Sequence, residues 1–262
     1  MKVFAILFLV TFVAGSVFTQ QNPDLRKLVE TERAFAQMAR EKGTKEAFLY
    51  YMADEGVVFE PEAVNAKEVW SKRPDSPALL SWEPIWADIS ADGSIGYTTG
   101  PWEFRPEGKD GKPVAFGQYV SIWKKQKNGE FRVILDIGIT HKKPERHSLK
   151  LRYPEEPSVL PRIICCFWGA VEAPLKSLSH NARIYREGMV PLSGALARKQ
   201  LKEEARTFDG TPKCDGTTSF QYCYGVIRTS SDKRFNFLQI LTDRSATMKW
   251  QVDLDLLNGI SS

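Results

Sequence analysis

The clearest pattern of hydrophobic and polar positions in the chain is a set of three alternating stretches near its middle. They are rich in β-branched and aromatic residues, and they predict strands at Ser94–Phe104, Phe116–Lys125 and Glu130–His141. The segment Lys127-Asn128-Gly129 predicts a hairpin turn between the last two. The sequence therefore predicts an antiparallel meander, which must bury one face against another element.

The same pattern occurs again near the C-terminus, where Phe235–Asn258 echoes Gly117–Ile139. Asp136 aligns with Asp255 in this repeat, and an upstream match pairs Phe59 with Tyr185. An internal repeat of this length indicates a duplicated domain, so 262 residues are expected to form two domains rather than one.

Helical spacing of apolar residues precedes the first meander. Asn22-Pro23-Asp24 is typical of a helix start, and Gly43 is expected to end that helix. Thr44 and Asn65 are expected to cap two shorter helices. The helix predicted to open the second copy, Ile163–Leu178, is weakly marked.

The first twenty residues differ from the rest of the chain. Lys2 precedes the apolar run Val3–Val13, small residues follow, and polarity resumes at Gln20. This pattern predicts a secretory signal peptide and not a membrane span, so the mature protein is expected to be secreted or periplasmic. The predicted division is a signal peptide at 1–20, a first domain at 22–141, a linker at 142–161 and a second domain at 162–260.

Composition narrows the possible functions. The formal net charge is +4 and the basic residues are spread along the chain, which does not favour a nucleic-acid partner. Three histidines in 262 residues and no CxxC pair predict no metal site, and no motif for a cofactor is present. Export permits disulfides, but the sequence leaves the state of the four cysteines open. They are Cys165, Cys166, Cys214 and Cys223.

The predicted order of elements, with the segments ADEGVVFEPEAVNAKE, LLSWEPIWADIS, GYTTGPWEFRP and YVSIWKKQKNGEFRVILD, resembles the nuclear transport factor 2-like superfamily. This superfamily includes ketosteroid isomerase and polyketide cyclases of the SnoaL type, and the closest resemblance is to exported bacterial proteins within it. The resemblance covers Leu25–His141 well and the second copy in part. It implies an α+β fold of two tandem cone-shaped domains, each with N-terminal helices packed in a strongly curved antiparallel sheet that leaves a pocket. It does not fix the function, because the fold hosts isomerases, cyclases, dehydratases and non-catalytic binders.

The last predicted strand of each meander carries an acid. On Phe131–His141, alternate residues from Phe131 to Ile139 form a wholly apolar face, which we expect to be core. Asp136 lies on the opposite, mixed face, as Asp255 does in the second copy. Each acid is either a general base at a pocket mouth or a structural acid bonded to a neighbouring strand.

Other candidates accompany these acids. Glu60 and His141 are candidate acid–base residues alongside Asp136, because each follows or ends a predicted strand. Aromatic and acidic residues of the meanders are candidate ligand contacts or, alternatively, plain packing residues. The candidate ligand-binding set is Tyr97, Trp102, Glu103, Tyr119, Tyr222 and Asp255.

The sequence thus favours an exported protein that binds a small apolar or amphipathic molecule in the first domain. One alternative is a cofactor-free isomerase, cyclase or dehydratase with a pocket carboxylate as general base. Another is a non-catalytic interaction protein of the cell envelope. The duplication supplies a dimer-like pair within one chain, so a monomer is expected.

Overall fold

The computed structural model describes residues 22–144, 149–156, 158, 178–200, 206–245 and 249–260. The predicted signal peptide, Cys165 and Cys166 lie outside these ranges. Of the predicted helix Ile163–Leu178 only Leu178 is described, and it begins a strand. Within the described ranges no helix is both long and apolar enough to cross a membrane.

We use the name first half for the elements from α1 to β7. Their order closely follows the prediction. Its elements are α1 (Pro23–Lys42), α2 (Thr44–Tyr51), β1 (Met52–Phe59), β2 (Ala63–Asn65), α3 (Ala66–Lys72), β3 (Leu79–Trp82), β4 (Trp86–Ile89), β5 (Ile95–Arg105), β6 (Ala115–Lys125) and β7 (Phe131–His141).

Local chemistry explains where the helices begin and end. The Asn22 side chain accepts the backbone N–H of Asp24 at 2.9 Å, and Gly43 ends α1 with φ +98°, a left-handed conformation that favours glycine. Asn65 caps α3 as expected. Thr44 does not cap α2; its hydroxyl instead accepts the backbone N–H of Leu80 at 3.1 Å and ties the helix to β3.

We use the name second half for the elements from β8 to β14. They repeat the order of the elements from β1 to β7. Its elements are β8 (Leu178–Arg186), β9 (Leu192–Ser193), α4 (Gly194–Gln200), β10 (Arg206–Phe208), β11 (Lys213–Gly216), β12 (Phe220–Thr229), β13 (Arg234–Thr242) and β14 (Gln251–Gly259). The two sheets have the same connectivity, β2-β1-β7-β6-β5-β3 and β9-β8-β14-β13-β12-β10, with β4 and β11 as seventh strands. The strands that the sequence did not reveal in the second copy are β10 and β11.

The prediction of an α+β fold built from two similar sheets is confirmed, with one correction. Each sheet is mixed and not wholly antiparallel, because β1 runs parallel to β7 and β8 runs parallel to β14. These pairs join the first and last strands of each half, and the intervening elements supply the long connection that a parallel pair requires.

The two largest hydrophobic cores of the described residues follow from this arrangement. The inner face of the first sheet packs against α1, where Phe35 contacts Trp82 and Trp123 at ring-centroid distances of 4.8 and 6.1 Å. Its outer face packs against the outer face of the second sheet, so that Ile137 and Ile139 share a core with residues such as Leu254. The two halves are therefore joined by a sheet-on-sheet interface.

The prediction that the apolar residues of β7 share one face is wrong. A β-bulge interrupts its pairing with β6 between Ile122 and Trp123. Phe131 and Val133, before the bulge, belong to the core around α1, whereas Ile137 and Ile139, after it, belong to the core between the sheets. One extra residue reverses the face that each later side chain occupies. The mixed face that carries Asp136 consequently points into the first half.

Candidate functional site

The inner face of the first sheet holds a buried carboxylate that the sequence analysis missed. Glu32 lies on the buried side of α1 and is fully inaccessible to solvent. Its carboxylate accepts the indole N–H of Trp82 at 2.5 Å, the indole N–H of Trp123 at 3.1 Å and the hydroxyl of Thr98. Burial raises its pKa to about 7 in spite of these three donors. The only sequence signal was an acid among the apolar positions of an amphipathic helix.

Asp136 shares this interior with Glu32. Strand register places Thr98, Ser121 and Asp136 side by side on β5, β6 and β7. Thr98 donates to Glu32, and the Ser121 hydroxyl donates to Asp136 at 2.7 Å, so this row of three side chains links the two carboxyl groups. Burial raises the pKa of Asp136 to about 6, although the residue as a whole is only partly buried.

Tyr119 and Trp102 extend the interior beyond Asp136. Tyr119 is 6% exposed, and its hydroxyl lies near Thr98 without a well-formed hydrogen bond to any described residue. Burial, with a smaller contribution from Glu32, raises the pKa of that phenol well above its usual range. Trp102 is half-buried on the same face, and its indole lies over Gly117.

Glycines make room for these aromatic rings. A Cβ atom at Gly117 would lie 2.3 Å from the indole carbon Cε2 of Trp102, so a larger residue there would displace the ring. Gly138 pairs with Tyr119 and follows Asp136 by two residues on the same face of β7. A Cβ atom at Gly138 would lie 3.3 Å from the indole nitrogen of Trp102, so the ring packs closely over this glycine as well.

The remaining first-half candidates lie elsewhere. Glu60 is exposed and forms an ion pair with Arg73 at 2.6 Å. Glu103 follows Trp102 on β5 and so faces the other side of the sheet, where it pairs with Arg105 at 2.6 Å. Neither acid shares the interior with Asp136.

Tyr97 lies on the outer face of the first sheet, not in its interior. It is fully buried between the sheets, with its ring centroid 6.1 Å from that of Phe220. Its hydroxyl donates to Asp253 of the second half at 3.4 Å. Tyr222 occupies the same core and stacks on Tyr224. These phenols hold the two halves together.

Asp255 lies inside the second half and is neutralised there. It forms ion pairs with Arg186 at 2.6 Å and Arg206 at 2.9 Å, and it accepts an N–H of Gln239 at 2.8 Å. Burial alone would raise its pKa, but the two guanidinium groups hold that pKa below its usual range. It is the structural acid that the sequence analysis had kept as an alternative for both positions.

His141 lies at the end of β7 on the outer side of the sheet. It is 5% exposed and lines a cleft between the two halves, so it is not a surface residue. It is not adjacent to Asp136 in the first interior. Among the residues that the structure describes, no group of three or more His, Cys, Asp or Glu side chains is arranged to hold a metal ion.

The chain is similar to a number of solved structures at low sequence identity. No protein-family model and no curated protein matches the chain. Matching structures include an NTF2-like protein of unknown function from Shewanella oneidensis, with 12% identity over 43% of this chain and 96% of that one at a TM-score of 0.35. A ketosteroid isomerase-like protein from Erwinia carotovora matches with 14% identity over 47% of this chain and 99% of that one, also at 0.35.

A further match is an NTF2-like protein of unknown function from Pseudomonas putida, with 14% identity over 44% of this chain and 84% of that one at a TM-score of 0.36. Each of these matches covers less than half of this chain. Likeness at this level carries no functional argument, so function has to be argued from the side chains.

Proposed function

We propose that the protein binds a small apolar or amphipathic molecule inside its first half, between Asp136, Tyr119 and Trp102. The observation that carries this proposal is the state of Asp136. It is surrounded closely enough for burial to raise its pKa to about 6, yet the residue as a whole is only partly buried. We infer from this that the carboxyl group borders a space that a small molecule can enter.

The groups around that space suit an amphipathic ligand. Trp102 and Tyr119 supply aromatic walls, while the Tyr119 hydroxyl and the Asp136 carboxyl supply polar contacts. A buried hydroxyl without a well-formed partner is costly, and a ligand oxygen or nitrogen would relieve that cost. Glu32 ties α1 to β3, β5 and β6 through its three donors and so fixes the inner wall.

A second candidate function is acid–base catalysis at the same place. It is favoured by the pKa values of Asp136, about 6, and Glu32, about 7, since proton transfer is most efficient when the pKa of the catalytic group lies near the working pH. Asp136 would act as the general base on a carbonyl-bearing substrate. Such an enzyme would be a cofactor-free isomerase, cyclase or dehydratase.

We also propose that the protein is exported and that its units are residues 22–141 and 162–260. The apolar run after Lys2 supports a signal peptide. The disulfide between Cys214 and Cys223, which the sequence left open, supports folding in an oxidising compartment.

Native mass spectrometry tests the binding proposal. We expect mature protein purified gently from the export compartment to carry a bound small molecule that the variants Asp136→Asn and Tyr119→Phe lose. Asp75→Asn is a matched control, because Asp75 is exposed and its only described side-chain partner is Lys45. A wild-type spectrum without any bound molecule would contradict a pocket at Asp136. So would retention of the molecule by both interior variants to the same extent as by the wild type.

The identified ligand then separates binding from catalysis. If Asp136 is a general base, turnover of that ligand is expected to rise with pH through about 6 and to be lost in Asp136→Asn. If the ligand is recovered unchanged after prolonged incubation at neutral pH, the protein binds that compound and does not convert it.

A further inference from the structure

A second candidate site lies between the two halves, on the opposite side of the first sheet from Asp136. It is a cleft of about 230 Å³ whose walls come from both halves and from the connecting segment. Trp86, Gln118 and His141 line it from the first half, and Arg183 and Tyr185 line it from the second.

The cleft is cationic. Arg183 and Arg152 both line it, and none of the lining residues that the structure describes is an aspartate or a glutamate. Neither arginine forms an ion pair with any residue that the structure describes, which contrasts with Arg186 and Arg206 on Asp255. Two guanidinium groups that share a cleft without a carboxylate favour an anionic ligand.

Both arginines are held in place. The Arg183 guanidinium stacks on the indole of Trp86 at 3.4 Å, and one of its N–H groups donates to the backbone oxygen of Asn181 at 2.9 Å. The backbone of Arg152 pairs with the first half: its N–H donates to Ile85 and its carbonyl accepts from Ala87. The side-chain contacts preorganise the Arg183 cation before any ligand arrives, and the backbone bonds fix the position of Arg152 along the cleft.

Two buried polar groups of the lining residues also lack partners. The Nε1–H of Trp86 and the Nε2 atom of His141 have no hydrogen-bond partner among the described residues, and both side chains are more than nine-tenths buried. The other ring nitrogen of His141, Nδ1, is 2.8 Å from the backbone oxygen of Lys142. Buried polar groups are normally paired, so these two groups are unsatisfied exceptions behind the cleft wall.

The apolar part of the lining indicates what carries the anion. Ile85, Pro101 and Leu192 complete the walls, so the cleft offers apolar surface next to its cations. A fully polar anion such as inorganic phosphate would leave that surface without contacts, whereas an organic carboxylate uses both parts. We propose that this cleft binds a small organic carboxylate, with Arg183 and Arg152 contacting its oxygens.

Binding of 4-fluorobenzoate, followed by fluorine NMR and calorimetry on the full mature chain, tests this proposal. We expect saturable binding that weakens at least about tenfold in Arg183→Gln and also in Arg152→Gln. The uncharged analogue 4-fluorobenzamide should bind much more weakly. Arg228→Gln is the matched control, since Arg228 is partnered by Asp209 and Asp232 away from the cleft and its loss changes the net charge equally.

Two further comparisons keep the result unambiguous. Arg152 is exposed, so its replacement should not unfold the protein. If Arg183→Gln lowers the thermal midpoint, the affinity of Arg152→Gln for 4-fluorobenzoate therefore tests the proposal. Asp136→Asn should leave the affinity for 4-fluorobenzoate unchanged, which separates this cleft from the proposed pocket in the first half. The proposal is overturned if the wild type shows no saturation, if the amide binds as tightly as 4-fluorobenzoate, or if both arginine variants keep the affinity of the wild type.

Discussion

At the scale of single residues, Asp136 and Asp255 show how one repeated position acquires two characters. Both lie on the last strand of a half and face its interior, with Ser121 and Gln239 opposite them. Asp255 is held by two arginines, so its pKa falls. Asp136 has one hydroxyl donor and no described ion pair, so burial dominates and its pKa rises. The neutralised copy is structural, and the uncompensated copy is the better candidate for a functional group.

Glu32 makes a testable prediction about stability and pH. Its pKa is raised from 4.5 to about 7 by burial, so the folded state holds its proton more tightly than the unfolded state. The stability that this provides is complete below pH 4.5 and is lost as the pH rises through about 7. The shift corresponds to a change of about 3 kcal/mol in the free energy of unfolding.

Urea unfolding from acid to mildly alkaline pH measures this change. Asp136 and Asp88 also have raised pKa values of about 6 and act in the same direction, so the wild-type curve alone does not isolate Glu32. The contribution of Glu32 is isolated by the difference in unfolding free energy between the wild type and Glu32→Gln. This difference should shrink as the pH rises. Glu46→Gln, at an exposed position on α2, should give a difference nearly independent of pH. A flat difference for Glu32→Gln would show that its pKa is not raised.

At the scale of elements, the sequence predicted most of the fold because caps, turns and alternation are local signals. Asn22, Gly43 and Asn65 mark helix ends through contacts with their own neighbours, and the structure confirms those ends. The bulge in β7 has no such local signal, because it exists only in the register with β6. This is why the sequence predicted the alternation and yet assigned Ile137 to the wrong core.

Candidate site residues were harder to predict for the same reason. Asp136 was found because the repeat singled it out, and Tyr119 because it is an aromatic residue near Tyr97 in the meander. Glu32 was missed because its partners Trp82, Thr98 and Trp123 are distant in the sequence and meet it only in the fold. The cleft between the halves depends on how the two sheets pack, which no pattern within one repeat can reveal.

The variant Ile137→Ala tests the packing of β7 in the core between the two sheets. Ile137 is 3% exposed in the core between the sheets, and truncating a buried isoleucine costs about 2–5 kcal/mol of unfolding free energy. Chemical unfolding should show this loss. Thr140→Ala, at an exposed position on the same strand, should change stability by less than about 0.5 kcal/mol. Equal small effects from both variants would mean that the sheet-on-sheet core contributes little.

At the scale of the whole molecule, the two halves complete each other. The outer face of each sheet is strongly apolar and is covered by the other, with residues such as Tyr97, Phe220 and Leu254 fully buried. Polar contacts fix the alignment of the halves. Arg244 of the second half pairs with Asp88 of the first and with Asp253, and the Asn236 side chain donates to the backbone oxygen of Pro61 at 2.6 Å. A buried ion pair of this kind favours one relative orientation over others.

This internal pairing predicts a monomer. The sheet faces that would otherwise require a second chain are already occupied, and the large exposed apolar residues among the described ones are scattered along the chain, from Tyr50 to Phe208. Light scattering after size-exclusion chromatography should therefore give the mass of a single mature chain across a wide range of protein concentration. Ile137→Asp, which places a charge between the sheets, should increase the hydrodynamic radius or promote association, whereas Thr140→Asp should do neither. A wild-type mass that rises to two chains with concentration would show that the duplicated sheet does not replace a partner subunit.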